Sequence, residues 1–248
     1  MKGFFFAKPL EFRLEALADQ LAQGDAINGT LHLKNRAGKP CPGRLEIGLA
    51  YGRFKKIKEG APNAFEMIER KLLTEQPSLP PDGEISSDWA FQLKKDCPVT
   101  SKDGALFLLY GANLDQSSLW SKLDLQVTPC LELEILLAIL ENRFQFAVTS
   151  AKFEQGFTEY RLKTPESYPT MDSFILRARV NEEAALDLDF RFRIKRLARG
   201  PEAGVKAGTE KFLRSISAKD YMNAQGQPDR GFLQEMVRDV LSNVVQTH

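Results

Sequence analysis

The sequence predicts an all-β protein in which two β-sandwich domains follow one another, with an amphipathic helix between them. Two observations support this prediction. Apolar residues recur at every second position in many short segments, and one segment near the middle changes to a helical period. The chain has 248 residues, enough for two ordinary domains. We expect an N-terminal domain over 1–129, a second domain over 130–228 with a leading helix over 131–142, and a C-terminal amphipathic helix over 229–248.

Three strands are predicted within the first fifty residues. Apolar and polar residues alternate over Leu10–Ala16, Ile27–Leu33 and Leu45–Tyr51, so each strand would bury one face. Turn-forming residues at 23–25 and a loop at 35–43 separate them. Several short strands with turns between them favour a sandwich over alternating strands and helices.

The remainder of the first half contains one segment whose type stays open. Ala64–Thr74 has spacings that fit both a helix and a strand. The proline-rich segment Gln76–Glu84 is predicted to be a loop. Trp89–Leu93 alternates again and is predicted to be a strand.

The central stretch contains two strands and a helix. Ala105–Tyr110 is a short apolar run typical of a buried strand, and Leu123–Val127 alternates until Pro129 ends it. Beyond that proline the period changes, which predicts the helix over 131–142. The positions i, i+3, i+4 and i+7 of this helix are Leu133, Leu136, Leu137 and Leu140.

Alternation returns in the second half. Strands are predicted around Phe144–Val148 and over Phe174–Val180 and Leu186–Ile194, with a loop at 164–170. A glycine-rich turn region is predicted at 200–208, and the type of the segment 209–222 stays open.

Two groups of basic residues are candidate sites for an anion or an acidic protein partner. The first group is Arg53, Lys55 and Lys56, at the end of a predicted strand where Arg53 and Lys55 would share one face. The second group lies on the outer face of the strand Leu186–Ile194, whose outer positions change from acidic to basic. For both groups the alternative is a solvated charged surface, with cross-strand ion pairs in the second. The second group consists of Arg191, Arg193 and Lys195, extended by Arg196 and Arg199.

The C-terminal helix has a continuous apolar stripe that must be buried somewhere. It packs either on the chain's own sandwich or on the same helix of a second copy in a homo-oligomer. The candidate interface residues for the second alternative are Phe232, Met236, Val240 and Val244.

Composition excludes several classes of function. The 34 basic and 33 acidic residues give a net charge of +1, which favours neither nucleic acid nor a membrane surface. No apolar segment approaches the roughly 20 residues that a membrane span requires. The three cysteines have no disulfide or zinc-site spacing and suit a reducing compartment. With two histidines and no nucleotide-binding, metalloprotease or serine-hydrolase motif, we expect neither catalysis nor a cofactor or metal.

Several short motifs resemble a known family. The turn at Gln23–Asp25 followed by the strand Ile27–Leu33, which contains Gly29, resembles the amino-terminal pattern of arrestins. Together with Trp89–Leu93 and Leu123–Pro129, the chain is similar to the bacterial sporulation-control (stage zero, protein M) branch of the arrestin-like superfamily. The resemblance implies two tandem immunoglobulin-like, arrestin-type β-sandwiches. It also implies a cytoplasmic regulatory or scaffolding role.

The sequence therefore favours a non-enzymatic regulator or scaffold that acts by binding other proteins. Two alternatives stay open at this point. One is a structural protein that self-assembles through its C-terminal helix. The other is a hydrolase of a small substrate, built on a β-sandwich and using acidic residues.

Overall fold

The structure is a computed structural model that describes residues 1–17, 20–198 and 204–246. These residues form fifteen strands, nearly all of them paired antiparallel. In chain order the strands are β1 (Lys2–Ala7), β2 (Leu10–Ala16), β3 (Leu21–Ala22), β4 (Ala26–Asn35), β5 (Cys41–Arg53), β6 (Phe65–Leu79), β7 (Glu84–Gln92), β8 (Gly104–Gly111), β9 (Trp120–Leu125), β10 (Val127–Thr128), β11 (Ala147–Glu154), β12 (Phe157–Lys163), β13 (Met171–Val180), β14 (Leu186–Ala198) and β15 (Gly204–Ile216).

The described part of the chain also contains four α-helices. The central helix ends at Gln145, whose left-handed backbone (φ 62°) stops the helical hydrogen-bond pattern. The last helix begins after Asp229, whose side chain accepts hydrogen bonds from the amides of Gly231 and Phe232 at 2.8 and 3.1 Å. Such an N-cap satisfies amides that the first helical turn leaves free. The helices are α1 (Phe54–Lys58), α2 (Leu131–Phe144), α3 (Ala218–Tyr221) and α4 (Arg230–Gln246).

The chain divides into two compact units. The first comprises Met1–Lys94 and Pro98–Thr128, and the second comprises Lys95–Cys97 and Pro129–His248. Strands β1 to β10 and helix α1 belong to the first unit. The remaining strands and helices belong to the second.

Two four-stranded antiparallel sheets build the first unit, with strand orders β1-β2-β4-β7 and β6-β5-β8-β9. Strands β5 and β8 are buried on both faces, which explains the uninterrupted apolar run in β8. Their inner face carries Leu45, Ile47 and Leu49, and the outer face is covered by a second apolar cluster that includes Phe107 and Leu114.

Most strand predictions in this unit are confirmed, but three details differ. The open segment 64–74 is part of strand β6, which continues to Leu79, so the loop predicted at 76–84 is confined to residues 80–83. The strand predicted over Leu123–Val127 is two strands, because Val127 pairs with Leu21 in a separate parallel pair. Strand β1 was not predicted from the sequence.

The second unit contains a five-stranded antiparallel sheet in which β11 to β15 follow sequence order. Strands β11 and β12 are joined by Gln155 and Gly156, whose φ values of 53° and 74° suit a tight hairpin turn. One face of the sheet packs its phenylalanines, such as Phe174 and Phe190, against apolar residues of α2 and α4. In the described part of this unit, helices therefore cover the inner face of the sheet.

The prediction of an all-β chain with antiparallel sheets before and after a central helix is confirmed. In the second unit two boundaries differ. Helix α2 continues to Phe144, so the strand predicted from that residue starts only at Ala147. The turn predicted over 200–208 is strand from Gly204 onwards, and its first residues lie outside the described part of the chain.

Candidate functional site

The outer face of the five-stranded sheet carries a dense network of charged side chains. Side chains alternate along a strand, so the residues between the core positions of β12 to β15 stand on this face. Arg177 lies opposite Asp189, and Arg191 lies opposite Lys211. We call this surface the basic sheet face. It consists of the cations Arg161, Arg177, Arg179, Arg191, Arg193, Lys195 and Lys211 and the carboxylates Glu159, Asp172, Asp187 and Asp189.

Asp189 is the centre of the basic sheet face. Its side chain is buried, with 6% of the residue exposed, and its Oδ2 accepts hydrogen bonds from Nε and Nη2 of Arg191 at 3.0 and 2.7 Å. Nη1 of Arg177 and Nζ of Lys211 each lie 3.7 Å from the same oxygen. Oδ1 is buried and receives no hydrogen bond from any described residue. Three cations thus converge on one carboxylate oxygen while the other oxygen stays unsatisfied.

Asp187 forms a second centre on the same strand. Its Oδ2 accepts hydrogen bonds from Nε of Arg179 at 2.9 Å and from Asn181 at 3.3 Å, and its Oδ1 accepts one from the Ser215 hydroxyl at 2.7 Å. Burial alone would raise the pKa of Asp187, but these hydrogen bonds and the charge of Arg179 lower it below its usual value. Asp187 therefore remains an anion at neutral pH.

An aromatic ring holds two of these arginines in place. The guanidinium carbons of Arg177 and Arg179 lie 4.9 and 4.4 Å from the ring centroid of Phe157. Cation–π contacts of this kind restrict the guanidinium groups without neutralising them. Phe157 therefore restricts Arg177 and Arg179, which also pair with Asp189 and Asp187.

The rim of the basic sheet face is open to solvent. Arg193 and Lys195 share the carboxylate of Asp172 at 3.4 and 3.6 Å, yet their side chains are 61% and 54% exposed. Exposed ion pairs of this length contribute little stability, so a competing carboxylate can replace Asp172 at small cost. With seven cations and four carboxylates, the face keeps a surplus of positive charge. The side chain of Arg196 and the whole of Arg199 lie outside the described residues.

The structure thus gathers Arg191, Arg193 and Lys195 on one face, as the sequence predicts, and joins them to carboxylates. It also adds residues that sequence reasoning missed. Asp172, Arg177, Arg179 and Lys211 became part of the site only through the strand register, which the sequence does not provide. The polar positions of β13 gave a signal for Arg177 and Arg179, whereas Lys211 lies in β15, a segment whose type the sequence left open.

The first basic group belongs to the first unit. The prediction that Arg53 and Lys55 share a strand face is wrong, because the chain leaves β5 at Arg53 and enters helix α1 at Phe54. Neither Lys55 nor Lys56 forms an ion pair with another described residue. These lysines are solvated and lack the preorganised geometry of the basic sheet face.

The predicted helix interface is only partly on the surface. Val240 and Val244 are buried in the core of the second unit, because α4 turns its apolar stripe towards the sheet. Phe232 is 37% exposed, and Met236 is half-buried against the same core. The two valines therefore cannot contact a second copy in this conformation.

His32 stands on the outer face of β4, as predicted, and its Nδ1 lies 2.6 Å from the Ser86 hydroxyl. The neighbouring cavity measures about 120 Å³ and includes the carboxylates of Glu11 and Glu84. Each carboxylate is engaged in an ion pair, Glu11 with Arg36 at 2.6 Å and Glu84 with Lys34. This cavity is smaller than ordinary ligand sites of roughly 300 Å³ or more, and its carboxylates are already neutralised.

No protein-family model matches the sequence, and no curated protein matches it. The fold defines the class of protein. It is an all-β chain of two compact units, each built on antiparallel sheet. Among solved structures, the chain is similar to the crystal structure of Spo0M, a sporulation control protein from Bacillus subtilis, with a TM-score of 0.65. The match covers 94% of this chain and 98% of that chain at 16% sequence identity. The match shows that this chain shares its fold with that sporulation control protein, which confirms at the level of the fold the resemblance to the sporulation-control family stated from the sequence.

Other solved structures overlap with about half of the chain. The DNA glycosylase AlkC from Pseudomonas fluorescens covers 47% of this chain and 30% of its own, at 14% identity and a TM-score of 0.28. A β-glucosidase from Listeria innocua covers 48% of this chain and 16% of its own, at 10% identity and a TM-score of 0.32. Likeness at this level carries no functional argument. Within the described residues, no helix is both long and apolar enough to cross a membrane.

Proposed function

We propose that this protein is a non-enzymatic regulator or scaffold that binds an acidic segment of a partner protein on the basic sheet face. The solved structure that shares its fold is described as a sporulation control protein, which supports a regulatory role. The observation that carries the proposal is the surplus of preorganised, half-exposed cations around Asp189 and Asp172.

Binding a partner's carboxylate costs little free energy at the rim of the basic sheet face. A carboxylate from a partner gains charge-assisted hydrogen bonds from Arg193 and Lys195 while it displaces only their weak contacts with Asp172. Phe157 and Asp189 already hold the deeper arginines, so little side-chain entropy is lost on binding. The surplus charge also speeds association and makes it sensitive to salt. An acidic, extended segment is therefore the partner that this face fits.

The experiment measures binding of a labelled peptide of alternating Glu and Ser residues by fluorescence anisotropy. The double variant Arg193→Gln/Lys195→Gln should bind about three- to tenfold more weakly than the wild type, because two exposed charge contacts are lost. The matched control, Lys55→Gln/Lys56→Gln, removes the same charge from the first unit and should change affinity by less than about twofold. Equal weakening by both variants, or affinity that does not fall with added salt, would contradict the proposal.

A further inference from the structure

A separate cavity lies between helices α2 and α4 of the second unit. Its volume is about 290 Å³. The cavity belongs to the helical layer, whereas the basic sheet face is the opposite side of the same sheet. Ile135 and Ile139 form an apolar wall, and the polar lining includes Asn142 and Arg143 of α2 and Arg230 and Gln234 of α4.

The helical period explains why these residues meet. Ile135, Ile139 and Asn142 are spaced by four and three residues and so lie on one face of α2, and Arg230 and Gln234 are four residues apart on α4. Other faces of the two helices supply Leu136 and Val237 to the core. The cavity is therefore built on two regular elements that core packing holds in place.

The polar side chains in this cavity have unused hydrogen-bonding capacity. None of Asn142, Arg143, Arg230 and Gln234 has a side-chain hydrogen bond or ion pair with another described residue. Among the residues that the structure describes, no acidic residue lines the cavity. The adjacent carboxylate of Asp229 is occupied by the amides of Gly231 and Phe232. Two arginines without ion-pair partners among the described residues thus line one small cavity beside Ile135 and Ile139.

The position of Arg230 strengthens the positive potential. It occupies the first turn of α4, where the helix dipole favours anions and disfavours a cation. A bound anion would relieve this unfavourable placement and also accept hydrogen bonds from Arg143. Arginine is suited to this task because its planar guanidinium binds a carboxylate through two parallel hydrogen bonds.

We propose that the α2–α4 cavity binds a carboxylate attached to a short branched aliphatic group. The two arginines bind the carboxylate, the amides of Asn142 and Gln234 supply further hydrogen bonds, and Ile135 and Ile139 contact the aliphatic part. The volume lies at the lower end of ordinary ligand sites, so the ligand has few non-hydrogen atoms in the cavity. Two sources share this chemistry, a free small carboxylic acid and the C-terminal carboxylate of a peptide that ends in a branched aliphatic residue.

The test uses calorimetry on the full chain with three probes: isocaproate, N-acetyl-leucine and N-acetyl-leucinamide. We expect the two carboxylates to bind and the amide, which has the same aliphatic group without the charge, not to bind. Tighter binding of isocaproate would assign the site to free acids, and tighter binding of N-acetyl-leucine would assign it to peptide C-termini. Absence of carboxylate binding at millimolar concentration, or equal binding of the amide, would overturn the proposal.

Variants locate the binding within the cavity. Arg143→Gln and Arg230→Gln should each weaken carboxylate binding at least about tenfold, because each removes a charged hydrogen bond. Both side chains are exposed, so thermal unfolding should confirm that the variants fold. The control Arg238→Gln lies on the same helix, but Arg238 pairs with Glu235 and does not line the cavity. If Arg238→Gln weakened carboxylate binding equally, the assignment to this cavity would be refuted. This outcome is independent of whether the acidic peptide binds to the basic sheet face.

Discussion

Each unit contains a buried carboxylate that pairs with arginines, Glu46 in the first unit and Asp189 in the second. The hydrogen bonds that their oxygens accept differ. Only 1% of Glu46 is exposed. Its Oε1 accepts a hydrogen bond from Nε of Arg44 at 2.9 Å. Its Oε2 accepts from Nη2 of Arg70 at 2.6 Å and from the amide of Leu114 at 3.0 Å. Both oxygens of Glu46 are therefore satisfied, whereas Asp189 uses only one.

The surrounding charges differ in the same sense. Arg44 also forms an ion pair with Glu75 at 2.9 Å, and Arg70 forms one with Asp115 at 2.8 Å. The network around Glu46 therefore has three carboxylates for two cations. Through Leu114 it also ties the loop after β8 to the sheet. The network around Asp189 has three cations for one oxygen. We infer that the closed network of Glu46 stabilises the fold and that the open network of Asp189 is available to a partner.

The largest effect is expected for Glu46→Gln. The change leaves Arg44 and Arg70 without their shared anion and should lower the free energy of unfolding by about 2 to 3 kcal/mol. The value is below that of a fully buried pair because both arginines are about one-third exposed. Urea unfolding measures the change. The control Glu75→Gln removes an exposed partner of Arg44 and should cost less than about 0.5 kcal/mol. An equal decrease in the free energy of unfolding in both variants would show that the buried ion pairs of Glu46 stabilise the protein no more than an exposed one.

The pH dependence of stability sharpens the same comparison. Burial by itself would raise the pKa of Glu46, but the amide of Leu114 and the guanidinium groups of Arg44 and Arg70 lower it below its usual value. A carboxyl whose pKa is lower in the folded state stabilises the protein above its unfolded pKa of about 4.3, and this contribution is lost as the pH falls through the folded pKa. The stability difference between wild type and Glu46→Gln should therefore be constant above about pH 5 and shrink below about pH 4. Unfolding curves across this range measure it, and a difference that stays constant into acid would contradict the mechanism.

Comparing the predictions with the structure around Glu46 and Asp189 shows what the sequence can predict. Period-two spacing located β2, β4 and β14 because the apolar residues of each strand lie on one face. It also located β5, whose apolar residues Leu45, Ile47 and Leu49 alternate although both faces of the strand are buried. Within β5, Glu46 occupied a polar position of that pattern and should have been exposed. It is buried because the loop that carries Leu114 covers the outer face of the sheet, a tertiary effect without a local signal.

Strand β6 shows a second limit. Its pairing with β5 shifts register at three places, so its side chains do not keep a single alternation and the segment fits a helix equally well. On the basic sheet face, the sequence predicted the cations of β14. It could not predict that Asp189 would meet Arg177 and Lys211, because cross-strand partners depend on the register of both hairpins.

Of the two buried carboxylates, Asp189 is expected to show the smaller stability effect when it is replaced, in Asp189→Asn. The change removes the negative charge around which Arg177, Arg191 and Lys211 converge. It should lower the free energy of unfolding by only about 1 kcal/mol, since Arg191 and Lys211 are partly solvated. Because the substitution also removes a competing anion, the acidic peptide should bind about two- to fivefold more tightly to this variant.

The control for this prediction is Asp239→Asn, which removes an exposed carboxylate paired with Arg214 at 3.3 Å outside the basic sheet face. Both variants raise the net charge by the same amount, so a general electrostatic effect would strengthen peptide binding equally in the two. A gain confined to Asp189→Asn would show that the three cations around Asp189 contact the peptide. If Asp189→Asn instead destabilised the protein as much as Glu46→Gln and weakened binding, Asp189 would be a structural anchor like Glu46, and the distinction between a closed and an open network would fail.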